Sequence, residues 1–146
     1  MNIFVLDSHP AVAATAHCDK HVPKMVLESA QMLSTVLGGP YKPTHANHPC
    51  TKWVAESRAN ADWLWLLADA LNLEYKERFD HIKDHKSWTV IEPLWRDIKK
   101  LPNRGMTPFA LAMPDEFKDD DAVTAYRAYY HSKPFAEWRN GAPDWW

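Results

Sequence analysis

The sequence predicts an all-α fold. Apolar residues recur at helical spacing over two long stretches, and alternating β-type patterning is nearly absent. Helix-stopping and helix-opening residues also stand where those stretches end and begin: Gly38-Gly39-Pro40, Pro49 and Asp119–Asp121. A chain of 146 residues is long enough for one domain around one core. The expectation is a compact single domain over residues 1–146, a bundle of about four helices with a long, proline-interrupted first helix and an irregular aromatic tail.

Residues 1–7 read as extended and lead into the first helix, which Asp7 or Ser8 caps and Pro10 opens. Its pattern continues to about Leu37, where Gly38-Gly39-Pro40 stops it. Pro23 lies inside and predicts a kink there or two abutting helices. Residues 40–50, PYKPTHANHPC, form a loop, and Pro49 opens a second long helix over about 50–79. In it Trp53, Ser57, Asn60, Leu64, Leu67 and Leu71 recur at helical spacing. The polar run 80–86 precedes a third helix over 88–100. Residues 101–118 carry three prolines and a glycine and read as an ordered loop. Asp119–Asp121 open a fourth helix that ends near Ser132 or Pro134, because acidic side chains favour a helix N-terminus. The tail WRNGAPDWW has no regular pattern.

A net charge of −2 and a pI near 6.4 argue against a general polyanion binder, although a local basic patch is compatible with both. Two cysteines without a disulfide framework point to a reducing compartment. MNIFVLDSHP lacks the basic start and apolar run of a secretory signal, and no stretch has the length of a membrane span. The expected location is the cytoplasm. Only four glycines occur, two of them adjacent, so no phosphate-cradling glycine loop is present. No serine nucleophile motif appears, and neither a nucleotide cofactor nor any other cofactor is expected. The eight tryptophans supply core volume, and also flat faces suited to stacking on bases.

The stretch HCDKHVPKMVLESAQ, residues 17–31, concentrates chemistry. At 100° per residue, His17, His21, Lys24, Glu28 and Gln31 share a stripe, while Cys18, Val22, Met25, Ser29, Leu33 and Val36 share the neighbouring face. The simplest account is a core face beside a solvated one. Two histidines and a glutamine are nevertheless unusual for a solvated stripe. A metal account joins His17 and His21 to a second cluster, His45, His48 and Cys50, but no CxxC accompanies them and the spacing fits no structural zinc pattern well. A catalytic account makes Glu28, flanked by cations, a general acid/base.

The order of short motifs resembles the pyrimidine-dimer DNA glycosylases of the phage endonuclease V type, and more closely their small bacterial relatives. DKHVPKMVLE, from Asp19 to Glu28, matches a helix carrying D-(R/Q)-(R/H)-L followed without gaps by a Glu. NHPCTKW, Asn47 to Trp53, matches NHP, a short gap and Trp. EYKER matches the basic close of the second helix, and PFAEWRNGAPDWW the aromatic ending. The resemblance implies an all-helical domain on kinked DNA with a damaged or modified pyrimidine nucleotide flipped out. It implies an N-terminal amine that attacks the sugar C1′, displaces the base and forms a Schiff base, with β-elimination to follow. An α-amine, with a pKa of about 7.7–8.0, keeps a useful neutral fraction at pH 7.

Carried over residue by residue, the resemblance makes Glu28 the catalytic carboxylate and places His21 near the reacting sugar. Lys20 and Lys24 become phosphate ligands, with Lys24 a reserve amine. Bulky Asn2 retains Met1, whose own amine is then the nucleophile in place of the processed Thr of the phage enzyme. Further candidate contacts to substrate are His17, Gln31, His48, Asn60, Arg127, Trp145 and Trp146. The terminal tryptophans equally suit a staple pinning the tail. Tyr126, Tyr129 and Tyr130 divide between core and groove, and Thr44, His45 and His48 open the second helix where a phosphate is favoured. The leading expectation is a DNA glycosylase, with AP-lyase activity as a further possibility. The alternatives are a non-enzymatic, phage-encoded factor that binds nucleic acid or a protein, and a His/Cys metal-binding protein.

Overall fold

Two of the long helices that the sequence predicts are each cut in two. The computed structural model describes all residues 1–146 and contains six α-helices and no strand: α1 (Pro10–Ala16), α2 (His21–Leu37), α3 (Pro49–Glu56), α4 (Arg58–Arg78), α5 (Lys86–Ile91) and α6 (Ala122–His131). Two 3-10 segments, Glu92–Lys100 and Asp115–Phe117, complete the list of helical elements. None of the helices is long and apolar enough to cross a membrane.

The break in the first long helix falls at residues 17–20, ahead of Pro23. Pro23 stands in the first turn of α2, where its missing N–H costs no intrahelical bond. His9, not Asp7 or Ser8, caps α1: its Nδ1 accepts from the Ala11 N–H, while Asp7 accepts from the His9 N–H. The backbone groups freed at the break find partners far along the chain. The Cys18 N–H donates to the Tyr130 hydroxyl and the Asp19 N–H to the Glu137 carbonyl. The His17 carbonyl accepts from Arg78, which is 3% exposed. Arg78 also donates to the Thr15 carbonyl, to Asp19 and to Glu74. Two of the short sequence motifs, DKH and EYKER, therefore meet through one buried guanidinium.

Ser57 cuts the second long helix. It adopts an extended conformation and its hydroxyl caps α4 by accepting from the Asn60 N–H. Asn60 then mends the junction: its amide donates to the Trp53 carbonyl and to the Thr107 hydroxyl, and accepts from the Thr107 N–H. The predicted third helix is short α5 followed by 3-10 geometry, because Pro93 has no N–H for the carbonyl one turn back. Gly38 ends α2 at φ +73°, and Asp121 caps α6 through the Thr124 N–H.

Thirty residues form the buried core. α4 packs on α1 and α2, and α2 also meets α3 and α5. Val22, Met25, Ser29 and Leu33 are buried, as the helical spacing predicts; Val36 of the same expected face is half-buried, and Cys18 is buried in the break ahead of α2. Against this frame lies the N-terminal segment, in which Ile3, Val5 and Leu6 are fully enclosed. The Leu6 carbonyl accepts from Arg127 of α6.

Candidate active site

The first four residues form a turn, not an extended strand. The Asn2 side chain accepts from the N–H groups of Ile3 and Phe4, and its amide donates to the Ala112 carbonyl. Phe4 sits at φ +31°, a conformation that residues with a Cβ rarely adopt. The turn directs the Met1 amine onto α2, where it lies 3.0 Å from Glu28 Oε1. The Lys24 ammonium lies 3.9 Å from the other Glu28 oxygen. Glu28 itself is 8% exposed. A carboxylate so enclosed is tolerable only with partners, and the amine and Lys24 supply them.

This ion pair borders a cleft of about 260 Å³ whose walls are Met1, Asn2, Phe4, His21, Lys24, Glu28, Tyr129, Lys133 and Phe135. His21 stacks on Phe4, with ring centres 4.5 Å apart, and meets the edge of Phe135. Its Nδ1 is 2.8 Å from the Tyr130 hydroxyl, which also lies 3.4 Å from the Cys18 sulfur. The hydroxyl has one proton to give, and an imidazole nitrogen is both the nearer and the stronger acceptor. That assignment leaves the ring proton of His21 on Nε2. Burial, then His17 and the three lysines Lys133, Lys24 and Lys20, push its pKa down to about 3. At neutral pH His21 is an uncharged ring that can orient or donate a hydrogen bond.

His48 caps α3 with its Nδ1 on the Cys50 N–H. Burial, followed by the Met1 ammonium and His45, holds its pKa below the ordinary histidine value, with Glu28 opposing. The NHP motif therefore lies within electrostatic reach of the amine and the carboxylate. Burial pushes the Cys50 thiol up to about 12, so it is a protonated core side chain and no nucleophile.

The remaining candidates, Lys20 excepted, lie apart from the cleft. His17 precedes α2 and belongs to the core, fully buried, so the helical stripe begins at His21. Its Nδ1 donates to the Ala13 carbonyl, its Nε2 has no partner, and burial lowers its pKa to about 4. Gln31 borders a different hollow, of about 430 Å³, with Leu27, Tyr41, Lys42, Pro43 and Thr44. Asn60 serves the α3–α4 junction. Arg127 braces Leu6 and Asp7 and lies over the Trp145 ring at 5.1 Å. Trp145 packs near Tyr130, and Trp146 stacks on His131 at 4.7 Å. Lys20 stands at the cleft's rim, 4.7 Å above the Phe135 ring. No group of three or more His, Cys, Asp or Glu side chains gathers in a geometry suited to a metal ion.

Sequence reasoning passed over Asn2, Phe4, Lys133 and Phe135. The last two lie in the run YYHSKPF, where a lysine among aromatic residues at a helix end was the available signal. No family model, curated protein or solved structure matches the chain.

Proposed function

We propose that the chain is a small DNA glycosylase with AP-lyase chemistry, acting on a damaged or modified pyrimidine through the Met1 amine and Glu28. The observation that carries the reading is the 3.0 Å approach of that amine to a nearly buried carboxylate that lines a cleft of about 260 Å³. Glu28, 3.0 Å away, is placed to take the proton that the amine must lose before it attacks. The neutral amine then adds to the sugar C1′. The bond from C1′ to the base breaks, and the base leaves with its electron pair and takes up a proton. Ring opening, with a proton from Glu28 to the ring oxygen, leaves an imine between Met1 and C1′. Loss of a C2′ proton and of the 3′ phosphate completes β-elimination. His21, neutral and held by Tyr130 and Phe4, orients the sugar.

Borohydride reduction tests the chemistry. The expected result is a covalent adduct with dimer-containing or abasic DNA, located on Met1 by peptide mass spectrometry. An adduct on Lys24 alone, or none from folded protein with a free Met1 amine, refutes the amine mechanism. Glu28→Gln should lower turnover about 10²–10⁴-fold while leaving DNA binding intact. DNA binding by wild-type protein that never yields product favours a binding factor on the same scaffold.

A further inference from the structure

Lys133 belongs to the loop after α6, fixed by its own N–H on the Tyr130 carbonyl and by the Ala136 N–H on its carbonyl. Its ammonium lies 4.0 Å from the centre of the Tyr129 ring, 5.5 Å from Phe4 and 5.8 Å from Phe135. Three aromatic faces restrict it and remove part of its water without using its N–H donors. Neither Lys133 nor Lys20 has a carboxylate within 4.0 Å, which is also true of Lys42, Lys52, Lys83, Lys86 and Lys99; what sets Lys133 apart is its aromatic seat beside the cleft. Lys24 completes the group, sharing Glu28 with the Met1 ammonium. A chain of net charge −2 thus lines one cleft with the Met1 amine, Lys24 and Lys133, the first two paired with Glu28, and places Lys20 beside its Phe135 wall. Burial and then His17 are the main causes of the low His21 pKa, and Lys133, Lys24 and Lys20 add to it, so all three lysines act at that ring.

We propose that Lys133, with Lys20 and Lys24, forms an anion subsite that takes the phosphate of a single nucleotide held in the cleft. Lys133 is the specificity-determining member, because its aromatic seat positions it before substrate arrives. This rests on the reading of the cleft as a nucleotide site and names the group it grips. The phosphate belongs either to a free nucleotide or to the flipped nucleotide of a strand.

Calorimetric titration of the full chain at low salt with thymidine 5′-monophosphate, thymidine and single-stranded pentathymidylate tests the proposal. For the wild type, the monophosphate or the pentamer should bind at least about tenfold tighter than thymidine. Lys133→Met should bring that preference to within about threefold, and Lys133→Arg should restore it. Lys76→Met, which alters a lysine already paired, should leave it unchanged. If the pentamer carries the preference, its salt dependence should weaken by about one phosphate contact in Lys133→Met, which identifies a strand as the source. If the monophosphate carries it and the pentamer binds no tighter, the source is a free nucleotide. Equal binding of all three ligands by the wild type, or an undiminished preference in folded Lys133→Met, overturns the subsite. Borohydride trapping on Met1 reports separately: its failure with the preference intact removes the amine chemistry and leaves the subsite standing.

Discussion

Replacing Arg78 by methionine removes the side chain that makes the most hydrogen bonds across the α1–α2 break. Arg78 donates to the His17 carbonyl at 2.7 Å, to Asp19 at 3.2 Å, to the Thr15 carbonyl at 3.3 Å and to Glu74 at 2.8 Å. Methionine keeps most of the apolar stem but leaves Glu74 and two carbonyls without this donor, and Asp19 with only the Arg139 N–H. Hydrogen bonds to charged groups are worth about 1.5–3 kcal/mol each, and removing one partner of a buried pair costs about 3–5 kcal/mol. Asp19 retains some access to water, with 26% of its side chain exposed, so about 4 kcal/mol is the working figure. With an m value of about 2 kcal/mol/M, the urea midpoint should fall by about 2 M. Arg78→Lys, which keeps the charge but not the fork of donors, should fall by about half of that. Midpoints come from circular dichroism at 222 nm. A shift of under about 0.5 M for Arg78→Met, with m unchanged, would show that the guanidinium is not what secures the break.

The other perturbations test the same frame. His17 is uncharged in the folded chain down to about pH 4, while unfolded histidine takes up a proton near 6.5. The unfolded state therefore binds more protons between those values, so the stabilisation is complete above about pH 6.5 and is lost as pH falls towards 4, by up to about 3 kcal/mol. Urea midpoints measured from pH 8 to 4.5 should fall more steeply for the wild type than for His17→Leu; parallel curves would refute this. Gly38→Ala meets no atom within 4 Å, so its cost is the left-handed backbone alone, about 1 kcal/mol by thermal or urea unfolding, and Gly38→Asn should cost less. Tyr130→Phe removes the hydroxyl shared by His21 and the Cys18 N–H, and should cost about 1–3 kcal/mol. It should also move the ¹⁵N shifts of the His21 ring away from the Nε2–H tautomer; unchanged shifts would exclude Tyr130 as the group that sets it.

The helices legible in the sequence are those whose ends carry local chemistry. Gly38 with its positive φ, Pro49 after a capping His48 and Asp121 on the Thr124 N–H all act within a few residues of themselves. Pro23 signalled an interruption of the first long helix, but its place at 17–20 and the break at Ser57 were illegible, because the apolar period runs through both and the partners that make a break tolerable are remote. Tyr130 and Glu137 serve the first, and Thr107 serves the second through Asn60. The candidate site divides in the same way. His21, Lys24 and Glu28 follow from spacing on one helix, whereas Lys133 and Phe135 reach the cleft from the opposite end of the chain and share no period with it. His17 failed as a member of the stripe because the stripe assumes a helix that begins four residues too early.

That closure of the two chain ends sets an order on biosynthesis. Met1 and Glu28 are made well before the wall formed by Tyr129, Lys133 and Phe135 and before the Glu137 carbonyl that receives the Asp19 N–H. At about 5–20 residues per second, roughly 100 residues between Glu28 and Lys133 take about 5–20 s to emerge. During that interval the amine has no cleft around it. A chain released before residue 133 would carry the pair of reacting groups without Lys133, without Phe135 and without the Glu137 carbonyl that steadies the α1–α2 break.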